Sequence, residues 1–173
     1  LVGPNGVGKS TTFKAILGLI SIDGGGVKVF GKDVKELTAE DKQKIGVSLA
    51  DSGFSVYLTV KGVMEILSKM YKEFDKEKFE RLCGQFKLPM NKKIKDFSTG
   101  MKAKLKVLVA ITHNATVLIL DEPTAGLDPE GREEVLENID NYRKAKNATI
   151  MMVSHSMNDV ARMASRLLVM YDA

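Results

Sequence analysis

The chain has 173 residues, 44% hydrophobic and 28% charged, with a formal net charge of +4. That is enough apolar material for one domain with its own core. The single cysteine excludes an internal disulfide, and no apolar run approaches the roughly 20 residues of a bilayer-spanning helix.

In chain order, Gly3-Pro4-Asn5-Gly6-Val7-Gly8-Lys9-Ser10 is a complete G-x-x-x-x-G-K-[ST] phosphate loop, and a helical pattern follows from Thr11 to Leu19. Its glycines let the backbone turn tightly and aim N–H groups at an anion, and the positive end of the helix adds to that pull. The pattern predicts a nucleoside triphosphate site. Lys9 reaches between the β- and γ-phosphates, Ser10 ligates a magnesium ion, and Thr11 touches the α-phosphate. The bland alternative, a glycine-rich turn with a stray lysine, does not account for the full motif length and the helix after it.

Val27-Lys28-Val29-Phe30 with Gly31-Lys32-Asp33 reads as a strand and turn, and Ile45 to Leu49 as a second strand. Thr59 is a helix N-cap ahead of an apolar stripe of Val60, Val63, Met64, Leu67, Met70 and Tyr71. Asp75 similarly precedes Phe79, Leu82, Cys83 and Phe86, a spacing that makes Cys83 a core residue. Lysines recur from Lys87 to Lys106, either as a solvated helix face or as a nucleic-acid surface. Phe97 is the one aromatic residue among them and makes no series for stacking on bases, so no nucleic-acid partner is expected. Phe97-Ser98-Thr99-Gly100-Met101 then opens a helix to about His113, with Ser98 as its cap.

Val117-Leu118-Ile119-Leu120 is a continuous apolar run, as in a strand buried on both faces, and it ends in Asp121-Glu122-Pro123. Open parallel sheets bind ligands at that end of a strand. Asp121 is placed to hold the metal through water and Glu122 to orient or deprotonate an attacking water. Asp128 and Pro129 cap a helix carrying Val135, Ile139 and Tyr142. Thr149 to Val153 is another apolar strand, followed by Ser154, His155 and a helix capped by Ser156. His155 therefore emerges at the same edge as Glu122, whereas His113 reads as an ordinary core or surface residue. A last apolar strand covers Leu167 to Met170.

Taken together, these motifs resemble the nucleotide-binding domain of ABC transporters. Phe97 to Met101 resembles the family signature in its Y-S-K-G-M-like exporter form, keeping the serine and glycine while Thr99 departs from it. Ala125-Gly126-Leu127-Asp128 resembles the D-loop, and Val153-Ser154-His155 resembles the switch histidine that bonds the γ-phosphate. The resemblance implies an α/β P-loop NTPase fold of RecA-like type, a mostly parallel sheet flanked by helices, with an inserted all-helical subdomain. A single domain over 1–173 is expected, its core lobe at about 1–55 and 115–173 and its helical subdomain at about 56–114.

The resemblance also implies the cofactors and partners, ATP with Mg2+ among them. In the implied sandwich, two such domains enclose ATP between the phosphate loop of one and Ser98, Gly100 and Asp128 of the other. A separate integral membrane transporter subunit would be driven, with this chain on the cytoplasmic face of the membrane and the segment from Ala50 to Leu58, including Phe54 and Tyr57, receiving that subunit. Two other readings stay open: a weakly hydrolysing partner within a heterodimer, and a soluble family member acting on ribosomes or DNA.

One position breaks the pattern. Where the family usually carries a glutamine after a strand, coordinating magnesium and the attacking water, this sequence has Ala50, with Asp51 beside it. Either hydrolysis is slower or differently coupled, or the metal shell is completed by water or Asp51. Hydrolysis is expected to survive because Lys9, Asp121, Glu122 and His155 are all present. The family also has β-structure and an adenine-stacking aromatic upstream of the loop and another strand beyond Met170, so the sequence is expected to be incomplete at both ends.

Overall fold

The computed structural model describes residues 1–171. Its centre is a parallel sheet of three strands, β3 (Ile45–Ser48), β4 (Val117–Asp121) and β5 (Thr149–Val153), in the order β3-β4-β5. Side chains alternate across a strand, and β4 uses both faces. Leu118 and Leu120 join the larger apolar cluster, while Ile119 points into a smaller one with Phe13, Leu37, Ile45 and Val153. This double burial explains why β4 reads as an unbroken apolar run. Beyond β5, Leu1 donates from its amino terminus to the Met152 carbonyl at 2.7 Å, and Val2 bridges in parallel to Val169. The expected strand at Leu167 to Met170 is no more than this bridge, held by Val2 N–H to Leu168 at 2.9 Å and Met170 N–H to Val2 at 2.8 Å.

The described residues form seven α-helices: α1 (Lys9–Ile16), α2 (Ala39–Gln43), α3 (Val60–Met70), α4 (Lys76–Gln85), α5 (Thr99–Ala110), α6 (Pro129–Lys146) and α7 (Met157–Met163). Helix α5 stops short of His113, which lies in the following turn. Helix α3 buries Val60, Val63, Met64 and Leu67 as its spacing requires, but Met70 at its last position is 59% exposed because no neighbour covers that end. Tyr71 is the C-cap residue, its backbone N–H donating to the Leu67 carbonyl, and its ring stacks on His113, ring centroids 3.9 Å apart. Cys83 is buried between α4 neighbours, and burial pushes its thiol up to about 12, leaving an inert core group.

Two short strands, β1 (Lys28–Val29) and β2 (Lys32–Asp33), pair with each other. Phe30 and Gly31 turn between them, both at positive φ, which suits a tight hairpin. Helix α5 packs directly on β3, and Gly46 makes that approach possible. A Cβ at Gly46 would lie 2.2 Å from the Ala110 carbonyl oxygen. The helices between β3 and β4 thus join the sheet through α5.

Candidate functional site

Parallel pairing brings the C-terminal ends of β3, β4 and β5 to one edge, and the loop after Val2 meets it there. Gly8 is the N-cap of α1 with φ 96°, a left-handed conformation that glycine adopts without strain. Six of the seven α-helices begin with a side chain accepting a first-turn N–H: Thr38, Thr59, Asp75, Ser98, Asp128 and Ser156. Helix α1 alone has no such bond. Its first-turn N–H groups face the loop and are free to receive anionic oxygens. Lys9 is 7% exposed and donates to the Gly3 and Pro4 carbonyls at 2.9 and 2.7 Å, which folds its ammonium back across the loop.

From the loop a continuous chain of contacts crosses to the strand ends. Ser10 donates to the Asp121 carboxylate at 2.8 Å. Glu122 follows β4 in a left-handed conformation, φ 48°, while its N–H donates to the Val153 carbonyl at 3.0 Å. Its carboxylate lies 2.9 Å from His155 Nε2, and both side chains stay partly exposed. Lys9, Ser10, Asp121, Glu122 and His155 therefore line one edge as a contiguous set. Among the described residues no group of three or more His, Cys, Asp or Glu side chains could hold a metal alone. Ser10 and Asp121 fit a magnesium ion that brings most of its oxygen ligands with it from phosphates and water.

Ser98, Gly100 and Asp128 do not join that set. They line a second cleft of about 730 Å³ between the start of α5 and the start of α6, together with Thr99, Leu127 and Gly131. The Ser98 hydroxyl already accepts the Met101 N–H at 3.2 Å, so the helix end expected to be free is partly occupied by its own cap. The hydroxyl proton and the Thr99 and Gly100 N–H groups remain available for a ligand. Asp128 accepts the Gly131 N–H at 2.7 Å and serves α6 in the same way. Asn5 and Gly6 are exposed at the loop tip, as are Pro4, Ser10 and Thr11, while Gly3 and Val7 are half-buried.

Ala50 lines a cleft of about 410 Å³ with Ser48, Lys106, Asp121 and Glu122. Asp51 is drawn away from it, its carboxylate 2.6 Å from Lys14 of α1. Lys106 of α5 occupies this end of β3 instead, donating to the Leu49 carbonyl at 2.9 Å and the Ala50 carbonyl at 2.7 Å. Burial lowers its ammonium from the ordinary lysine range, while Asp51 and Asp121 oppose that shift. Sequence reasoning did not single out Lys106. Nor does the lysine run form one free face, since Lys104 pairs with Glu134 at 2.6 Å.

The other group missed lies behind His155. Asp159 is 1% exposed and gathers Thr124, Ser154, Ser156 and Arg132 around its carboxylate. The serine three residues earlier signals a local cap, but nothing local signals Thr124.

With this geometry in hand, comparison with known proteins gives a consistent answer. The family model for "ABC transporter" matches residues 1–125. The linearmycin resistance ATP-binding protein LnrL of Bacillus subtilis is 34% identical over 172 residues, covering 96% of this chain and 55% of the relative. The bacitracin transport ATP-binding protein BcrA of Bacillus licheniformis is 31% identical, covering 99% of this chain and 56% of the relative. The chain thus spans about half the length of the curated relatives it matches. Among solved structures, an ATP-binding subunit of an ABC transporter superposes with a TM-score of 0.86 at 26% identity, over 98% of this chain and 72% of that one. A dimeric bacterial ABC transporter cassette has the same fold, with a TM-score of 0.85 at 22% identity over 97% and 78% of the two chains.

Proposed function

The chain belongs to the ABC transporter family, and from that premise we propose that it binds and hydrolyses ATP to drive transport through a separate membrane subunit. The observation that carries this reading is the contiguous edge from Lys9 through Ser10, Asp121 and Glu122 to His155. The uncapped start of α1 and the Lys9 ammonium hold the β- and γ-phosphates. Ser10 and Asp121 hold magnesium, which when bound neutralises charge on the phosphate oxygens. Glu122 accepts a proton from, or orients, the water that attacks the γ-phosphate, and His155 donates to that phosphate.

In the finer reading the second cleft serves the same ATP from another copy. Ser98 and the first-turn N–H groups of α5 offer hydrogen-bond donors and a positive helix end to the γ-phosphate across a head-to-tail dimer. ATP then closes the dimer, and hydrolysis removes part of the attraction. The membrane subunit docks at the apolar groove lined by Phe54, Val56, Leu105 and Val109, with Tyr57, 72% exposed, beside it. No helix among the described residues is long and apolar enough to cross a membrane, which suits work at the cytoplasmic face through that subunit. LnrL is named a resistance ATP-binding protein and BcrA a transport ATP-binding protein, and the finer proposal for this chain is an exporter with separate membrane and ATPase chains.

Ala50 favours a second reading, an ATP-holding partner that hydrolyses little within a heterodimer. Turnover of Mg-ATP by the purified chain, alone and with its membrane subunit, against a Glu122→Gln variant separates the two. Turnover well above the variant supports the first reading. Tight nucleotide binding with turnover equal to the variant supports the second.

A further inference from the structure

Glu122 and His155 come from different loops, and their 2.9 Å contact needs those loops held in register. One buried carboxylate touches both. Asp159, in the first turn of α7, accepts from the Thr124 hydroxyl at 2.6 Å, two residues beyond Glu122. It also accepts from Ser156 at 3.0 Å and from Ser154 at 3.4 Å, the residues on either side of His155. Arg132 of α6 lies 3.7 Å away and donates to the Ser156 hydroxyl at 3.0 Å. The Asp159 side chain is 2% exposed. A buried carboxylate is costly unless donors surround it, and here the donors are spread over three segments. A helix cap would need only Ser156, whose hydroxyl accepts the Asp159 N–H at 3.3 Å. Thr124 serves no cap, and its bond is the shortest of the set.

We propose that Asp159 is a positioning residue that holds the Glu122 loop and the His155 loop at a fixed separation. It touches neither phosphate nor water and acts only through Thr124, Ser154 and Ser156. The consequence for catalysis rests on the ATPase reading above, but the positioning itself does not. Replacing Asp159 by Asn sets an amide N–H against donors that need an acceptor. Replacing Thr124 by Val removes one anchor and leaves the α7 cap intact.

The test uses the full chain, which has only two histidines, so its imidazole nitrogens can be read individually by NMR. In the nucleotide-free protein, Asp159→Asn and Thr124→Val are expected to shift or broaden the His155 signals while those of His113 stay in place. Displacing a reacting group by about 1 Å costs roughly 10²-fold. At saturating ATP, turnover should therefore fall about that far, with the nucleotide Kd changed less than about threefold. Asp159→Glu, which keeps the carboxylate, should recover part of the loss. His155 signals unchanged in both variants would overturn the inference. So would a loss in thermal stability with turnover per folded molecule intact. If Glu122→Gln also leaves turnover unchanged, the hydrolysis reading fails by itself, and the imidazole signals still decide the positioning.

Discussion

Glu122 Oε1 and His155 Nε2 meet at 2.9 Å across the ends of two adjacent parallel strands, β4 and β5. The contact follows from register. Asp121 pairs with Val153, so the residues just beyond each strand emerge side by side. In the proposed reaction the carboxylate would handle the proton and the imidazole the phosphate.

Replacing Glu122 by Gln keeps the shape and one acceptor oxygen for His155 but removes the proposed base. General-base loss is worth about 10²–10⁴-fold in rate. Turnover should fall by that order while Mg-ATP binding persists. Under ATP the variant should also accumulate as a dimer in sedimentation velocity, because hydrolysis no longer opens it.

Ser98 has two roles that substitution separates. Ser98→Ala removes the bond to Met101 N–H and should cost about 1 kcal/mol in urea denaturation. Ser98→Asp keeps a capping oxygen and should leave stability nearly unchanged. Its negative charge should nonetheless abolish ATP-induced dimerisation, since it would face the γ-phosphate of the opposite copy. Normal dimerisation of Ser98→Asp would remove α5 from the nucleotide interface.

Lys106→Met keeps the side-chain length and loses the bonds to Leu49 and Ala50. Water replaces part of them at this half-buried position, so the loss of stability should be about 1 kcal/mol. The larger effect is local. Hydrogen exchange should speed up from Leu49 to Gly53 and stay unchanged in β4, and Lys106→Arg should restore part of the protection.

Burial holds the His113 imidazole below its ordinary range, and Lys78 adds to the shift, although the carbonyls of Ile45 and Val109 oppose it. A base that protonates more easily unfolded than folded costs stability as pH falls. The loss begins near the ordinary histidine value of about 6.5 and levels off below the depressed one. Wild type should be less stable to urea at pH 5.5 than at 7.5, and His113→Gln should have a smaller difference between the two.

The parallel sheet and the places of the candidate side chains are legible because each motif sits at a strand end or helix start, where local pattern decides. The unbroken apolar run of β4 and the cap residues Thr59, Ser98 and Asp128 are such cases. Met70 was misread because helical spacing continues a stripe to the last turn whether or not a neighbour covers it. The strand and turn read over Val27 to Asp33 fold locally, Lys28 and Val29 pairing with Asp33 and Lys32. Asp159 escaped notice, and Lys106 was read only as a member of the lysine run, for another reason. Their partners lie 35 and 57 residues away in the chain, and periodicity carries no information at that range.

The bare start of α1 has one more consequence. Every other α-helix among the described residues is sealed at its beginning by a side chain the protein always carries, but this one is left to a visitor. Phosphate oxygens would complete the protein's secondary structure as well as bind to it, so occupancy and local order rise together. A guest at 100 times its Kd contributes about 2.7 kcal/mol to the folded state. On the proposed reading, the loop that would recognise a triphosphate would then also lose order each time a product departs.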